Sequence, residues 1–185
     1  MMLDPVIALA ASLLMAAIFA AGAVDKLRVP ALFAAIVQAY GLLPGILVTP
    51  VAWGVALMEA GIALALCVPA AWPWAQWAGL VLLFIVTAAV VINLLRGQVG
   101  IDCGCGGASA DQELSWALVW RNLALAALLA LPLVHPWADE TGRTLGLGDG
   151  LIVVFAVLAG FGLYAGVNQL LANTPRLRDL VEGHA

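Results

Sequence analysis

The sequence predicts an all-α membrane protein: a bundle of about five transmembrane helices, four forming a core with one added at the C-terminal end, plus a short interfacial helix. Three observations carry this. Of 185 residues, 65% are hydrophobic and 10% charged, whereas a soluble domain carries about 25% charged residues. The mean hydropathy is +1.10. The apolar residues also fall into five long runs, each able to supply the roughly 20 residues that a bilayer crossing needs. The first partner of such a chain is the lipid bilayer.

In order, the runs are Pro5–Val24, Val51–Ala70, Trp74–Leu95, Leu114–Val134 and Gly150–Ala172. Charges or helix breakers bound each one: Asp25-Lys26, Pro50, Pro69 to Pro73, Arg96-Gly97, Pro136, and Asn173 to Pro175. The first run has no basic segment ahead of it, so it reads as a retained span and not a cleaved signal. The connector "VPALFAAIVQAYGLLPG" is too short and too interrupted by Gly41 and Pro44 to cross. It reads as a short helix in the interface or tucked back into the bundle. Trp53, Trp72, Trp74, Trp116 and Trp137 fall near the expected span ends, with Trp77 and Trp120 about one turn inside, the depth at which an amphipathic ring is favoured. Residues 1–172 read as one bundle that includes a loop over 96–113, and 173–185 as a polar tail; no internal repeat is present.

An odd number of crossings puts the two ends on opposite sides. Lys26, Arg28, Arg96, Arg176 and Arg178 fall on one side, and Arg143 alone among basic residues on the other. By the positive-inside rule the richer side, which holds the 96–113 loop, is cytoplasmic. The net charge of −4, with no basic run or stripe, gives no footing for nucleic acid.

A charged side chain inside hydrocarbon is expensive unless paired, so it marks a functional candidate. Glu59 lies about eight residues into the second run, roughly 12 Å deep at 1.5 Å per residue. Arg121 lies about seven residues into the fourth, roughly 10 Å by the same rise. Both runs start on the same side, which predicts an ion pair between them. Asn93, Asn122 and Lys26 fall in the same half of the bundle. Helix–helix attachment explains these groups as well as an active-site floor does, and the two roles are compatible.

Above that half lies "RGQVGIDCGCGGASADQ". Cys103 and Cys105 are separated by Gly104 alone, and Gly106-Gly107 lets the chain turn at once. A disulfide needs Cα atoms about 4.4–6.8 Å apart, so a ring closed across one residue is strained, and strained exposed disulfides are the oxidising, exchange-prone ones. Asp102 beside Cys103 disfavours its thiolate, while Arg96 or the start of the fourth run favours one; Cys105, one residue further from Asp102, reads as the more acidic thiol. Other readings of the pair are binding of a soft ion such as Cu(I) and a glycine turn with incidental thiols. Zinc would need two further ligands, and no His or third Cys is near in sequence. Cys67, at the far end of the second run, reads as a buried apolar filler. His135 and His184 read as solvated.

Taken together, "FAAGAVDKL", "FAAIVQAYGLLP", "MEAGIAL", "INLLRGQVGIDCGCGG" and "SWALVWRNLAL" resemble the MauE/DoxX-type membrane proteins, and the MauE family of methylamine utilisation most closely. The resemblance covers the first four runs. Gly106 and Gly107 stand where MauE loops often carry an aromatic. The resemblance implies a multi-pass bacterial inner-membrane protein that supports maturation of methylamine dehydrogenase, whose small subunit is rich in disulfides. It implies a thioredoxin-like, MauD-like partner, disulfide formation or isomerisation through Cys103 and Cys105, and a supporting polar set of Glu59, Arg121, Asn122, Asn93, Lys26 and Asp102. The outline is also similar to vitamin K epoxide reductase and its bacterial relatives, which implies a membrane quinone as electron acceptor, over the Glu59/Arg121 region. No other cofactor and no metal is implied. The resemblance favours a periplasmic loop, opposite to the charge count. A non-catalytic scaffold, or a Cu(I)-binding subunit, is the rival reading.

Overall fold

The computed structural model describes residues 4–98, 101, 114–134 and 145–182, with side chains up to Asn173. Cys103, Cys105 and Asp102 lie outside the described residues, as do Trp137, His135 and His184. Among the described residues all regular structure is helical: α1 (Pro5–Arg28), α2 (Pro30–Ala39), α3 (Gly45–Leu66), α4 (Trp72–Leu95), α5 (Trp116–Val134) and α6 (Leu147–Glu182). A 3₁₀ turn, Pro69–Ala71, precedes α4. Five helices are long and apolar enough to cross a bilayer, as expected; α2, at 10 residues, is the short one.

α1 starts where the Asp4 side chain accepts a hydrogen bond from the Val6 amide at 2.9 Å and Pro5 takes the first turn, a place where its missing N–H costs nothing. Ala8, Ala11, Met15, Phe19, Ala23 and Lys26 are buried at helical spacing. That stripe faces α3, with α5, α6 and α2 also packed against the helix. Half of the most apolar stretch of α1 is buried in the protein, against 6% for α6. α1 is therefore the central element and α6 the outer one. Lipid gives apolar faces no reason to leave it, so small residues that permit close approach decide which helices meet. Gly79 of α4 is such a point: a Cβ there would lie 2.7 Å from Leu129 Cδ2 and 3.3 Å from the Phe19 ring.

Several boundaries differ from the sequence reading. α3 begins at Gly45 and carries Pro50 inside. A proline removes only one backbone hydrogen bond, and within a membrane helix that loss is tolerated. Glu59 is consequently 14 residues from the start of its helix, about 21 Å at 1.5 Å per residue, and not about 12 Å. α6 continues beyond Ala172 to Glu182. Trp53, expected near a span end, lies inside α3. The α3–α4 turn is closed by Trp72, whose Nε1 donates to the Leu66 carbonyl at 2.8 Å, one of the carbonyls a helix end leaves over. Cys67 caps α3 and is exposed, which corrects the expectation of a buried filler: it falls one residue past Leu66, the last inward position. Its Sγ lies 3.4 Å from the Ala63 carbonyl.

α4 ends at Arg96. Gly97 takes φ +75°, while the Gly97 amide bonds to Leu94 O and the Gln98 amide to Asn93 O, each at 3.0 Å. Both bonds of a Schellman cap are present, and the positive φ explains the glycine. Ile101 and Leu114 then meet again, through Leu114 N–H to Ile101 O at 3.1 Å. The segment between them is thus tied at its base, and Ile101 packs on an apolar cluster of Tyr40, Val90, Leu114 and Leu118. A second, larger apolar cluster, including Met15, Phe19, Ile62, Leu82 and Leu129, fills the other end of the bundle.

Gly79→Ala should lower the thermal midpoint of the purified protein in micelles, by a penalty on the order of 1–3 kcal/mol for overpacking. Gly54→Ala, where the added carbon meets open space, should leave it unchanged or raised. Equal midpoints for the two variants would refute the close α4–α5–α1 contact.

Candidate functional site

Between the two apolar clusters lies a polar layer. On α4, Thr87 falls between Leu82 and Val90; on α5, Arg121 and Asn122 fall between Leu118 and Leu129. α1 contributes Lys26, one turn past Gly22, and α3 contributes Glu59.

Lys26 is 6% exposed and Glu59 9%. Their side chains meet as a two-pronged pair, Lys26 Nζ to Glu59 Oε2 at 2.8 Å and to Oε1 at 3.0 Å. Nζ also donates to the Gly22 carbonyl at 3.3 Å and lies 5.3 Å from the centre of the Phe33 ring. Opposite charges this deep in a bilayer compensate only at hydrogen-bond distance with their remaining protons satisfied, and this geometry meets both conditions. Gly22 makes room for it. A Cβ there would stand 3.2 Å from Glu59 Oε2 and 3.4 Å from Lys26 Nζ, tighter than ordinary van der Waals contact.

Arg121 ties the other helices. Its Nη1 donates to Asn168 Oδ1 of α6 at 2.7 Å. Nε and Nη2 donate to Asn122 Oδ1 at 3.3 and 3.0 Å, and the guanidinium lies 5.9 Å from the Tyr164 ring. Asn122 Nδ2 donates to Thr87 Oγ1 at 3.1 Å, and Thr87 Oγ1 donates to Leu83 O at 2.6 Å. A ladder of hydrogen bonds therefore runs from α6 through Arg121 to α4. A small cavity of about 50 Å³ touches both halves of the layer, lined by Gly22, Lys26 and Glu59 on one side and Arg121, Asn122 and Tyr164 on the other. Such a volume admits a water, which needs roughly 10–15 Å³ and two or more polar partners.

The sequence reading placed Glu59, Lys26, Arg121 and Asn122 in one half of the bundle, and they line one cavity. The ion pair that closes on Glu59 at 2.8 Å is with Lys26, a partner the sequence did not indicate, and Arg121 lines the same cavity. The assumption that Lys26 closes a span at the surface misled the reading: α1 runs on to Arg28, and α2 packs against its end and against α3. Lys26 accordingly drops out of the surface charges that oriented the bundle. Asn93 stands apart. It is fully buried one turn past Val90, its Nδ2 donates to Ala89 O at 3.0 Å, and its Oδ1 has no hydrogen-bond partner. Thr87, Tyr164, Asn168 and Gly22 were not singled out from sequence. A polar residue in an apolar run was the available signal for Thr87 and Asn168. Among the described residues no three of His, Cys, Asp and Glu gather as a metal site requires.

The family model described as methylamine utilisation protein MauE matches residues 4–135. A methylamine utilization protein MauE of Paracoccus denitrificans is 36% identical over 168 residues, covering 86% of this chain and 90% of that protein. One of Methylophilus methylotrophus is 38% identical over 126 residues, covering 68% and 66%. One of Methylorubrum extorquens is 35% identical over 140 residues, covering 75% of each. No solved structure matches.

Removing one member of the pair, by Glu59→Gln or Lys26→Met, should destabilise the protein by about 3–5 kcal/mol, since the other charge is left buried alone. Lys26→Met combined with Glu59→Met should recover most of that loss, read as unfolding midpoints in micelles. Additive losses in the double variant would contradict the pairing.

Proposed function

Because the chain belongs to the MauE family, we propose that it is a multi-pass bacterial inner-membrane protein of methylamine utilisation whose Cys103 and Cys105 exchange a disulfide with a thioredoxin-like partner. The exchange would serve maturation of methylamine dehydrogenase or a similar disulfide-bearing enzyme. The observation that carries the reading is the placement of the pair in the chain. Cys103 follows two residues after Ile101, whose carbonyl is bonded to the Leu114 amide and whose side chain packs on the cluster at the end of α4 and α5. Ile101 and Leu114, which flank the segment that carries the thiols, are thus bonded to each other, and this supports reading that segment as an exchange site.

The chemistry balances as follows. A thiolate of the partner attacks one sulfur of the closed Cys103–Cys105 bond, which breaks as the mixed disulfide forms. The partner's second thiolate then attacks that mixed bond. The partner leaves oxidised by two electrons, and Cys103 and Cys105 are left as a dithiol. A lipid-soluble acceptor of the quinone class takes two electrons and two protons to close the pair again. Run in reverse on a wrongly bonded client, the first half of the same exchange supports isomerisation. The buried Lys26–Glu59 pair and the Arg121 ladder hold α1, α3, α4, α5 and α6 in register beneath the site.

Alkylation with a maleimide-polyethylene glycol reagent, with and without prior reductant, tests this. Protein carrying only the Cys67→Ser change should show a two-thiol mobility shift from Cys103 and Cys105 that depends on reductant. Cys105→Ser or Cys103→Ser should abolish partner oxidation, and one of them should accumulate the mixed disulfide. A membrane-impermeant reagent in intact cells reads which side the pair faces. A double Ser variant that still supports the client would instead mark a scaffold.

A further inference from the structure

α6 keeps little of its surface inside the protein. Its most apolar stretch is 6% buried, and α1 is its main neighbour. Gly160 marks the inner side, because a Cβ there would stand 2.6 Å from Leu14 Cδ2 of α1. At about 100° per residue, Gly162, Gly166 and Gln169 point roughly 200°, 240° and 180° away from Gly160, on the outer side. All three are exposed, and a Cβ at Gly162 or Gly166 would meet nothing within 4 Å. We infer that this outer side of α6 is the interface with a second copy of the chain, in a parallel pair whose two-fold axis passes Gly162, Gly166 and Gln169.

Gln169 carries the argument. It follows Asn168, whose Oδ1 accepts from Arg121 at 2.7 Å, so its amide lies at the depth of the polar layer, with an apolar cluster on either side of that layer. Among the described residues the amide has no hydrogen-bond partner. Lipid tails offer none, and a polar group left so in hydrocarbon is costly. An amide is both donor and acceptor. Two-fold symmetry sets each residue near the axis opposite its own copy, and there two Gln169 side chains satisfy each other reciprocally. A second copy is thus the one occupant whose complementarity is already present in this chain. The glycines meet the other requirement. Two backbones approach closely where no Cβ intervenes, and Gly162 and Gly166, in the turns just before Gln169, have the four-residue spacing that allows it. Gly22, Gly79 and Gly160 are each explained by a neighbour inside the protein. Gly162 and Gly166 have no such neighbour, although glycine is a poor helix former. The pairing asks nothing of the cysteines, so it stands apart from the thiol-exchange reading.

Sedimentation equilibrium of the purified full chain in density-matched micelles tests this, with cross-linking in membranes as a second readout. The wild-type chain should sediment as a dimer in equilibrium with monomer. Gln169→Leu and Gly166→Leu should each raise the dissociation constant at least tenfold. Both side chains point outward, so helix content should match wild type. Leu163→Ala, on α6 but about 100° round from Gly162, should dimerise as wild type. In a chain carrying Cys67→Ser, Cys103→Ser and Cys105→Ser, Gly162→Cys should give a disulfide-linked dimer on mild oxidation in membranes, and Leu163→Cys should not. A wild-type chain that stays monomeric would overturn the inference, including one that instead holds a helix of a different membrane protein. So would a dissociation constant unmoved by both Gln169→Leu and Gly166→Leu, or cross-linking as efficient from position 163 as from 162.

Discussion

Two opposite charges held 2.8 Å apart inside a lipid-soluble protein set the terms for the rest of this structure. Neither Lys26 nor Glu59 is tolerable there alone. Glu59 is reached only because Gly22 leaves the face of α1 open, and Lys26 turns inward from the last turn of its helix. Once the pair forms, the register of α1 against α3 is fixed to within a fraction of a helical turn. Apolar packing cannot do this in a bilayer, since lipid tails are as good a neighbour as another leucine.

The neighbouring ladder extends the same logic. Arg121 is bonded to Asn122 and Asn168 and lies against the Tyr164 ring, and Asn122 passes the connection to Thr87 of α4. Five of the six helices thus meet through one polar layer set between two apolar clusters. Directional bonds specify which faces touch, and small residues such as Gly79 let the backbones approach. Above the layer, the Schellman cap at Gly97 and the Ile101–Leu114 bond bring the chain back on itself at the base of the cysteine segment. Beside the layer, α2 leaves a cleft whose one polar feature besides Tyr40 is the ion pair. One buried pair is therefore shared by an interior cavity facing Arg121 and an apolar cleft facing α2.

The helices were legible in the sequence because membrane spans are written in length and hydropathy, which need no tertiary context. The spans, the short connector and the stop at Arg96-Gly97 all follow from residues a reader can see. Pro50 misled because its cost as a breaker depends on where in a helix it falls and on what surrounds the freed carbonyl. The polar layer was legible as a set, since Glu59, Arg121, Asn122 and Lys26 are each anomalous in apolar company. Its pairing was not. Lys26 was read as closing a span at the surface, which hid it as a partner for Glu59; α1 runs on to Arg28 with α2 packed against its end, and that carries Lys26 inside. Asn168 and Tyr164 passed unnoticed because one amide and one phenol in a long apolar run are inexpensive and signal little alone. The cleft under α2 was beyond the sequence altogether, since it depends on how a short helix is set against two long ones.

Rotational-echo solid-state NMR on protein in bilayers, with Lys26 Nζ labelled with ¹⁵N and the Glu59 carboxyl with ¹³C, tests the central claim directly. The account predicts strong dephasing of an ionised Glu59 carboxylate by the Lys26 nitrogen, as a 2.8 Å N···O contact requires. A Glu59 carboxyl that is protonated, or that shows no dephasing from Lys26, would contradict it.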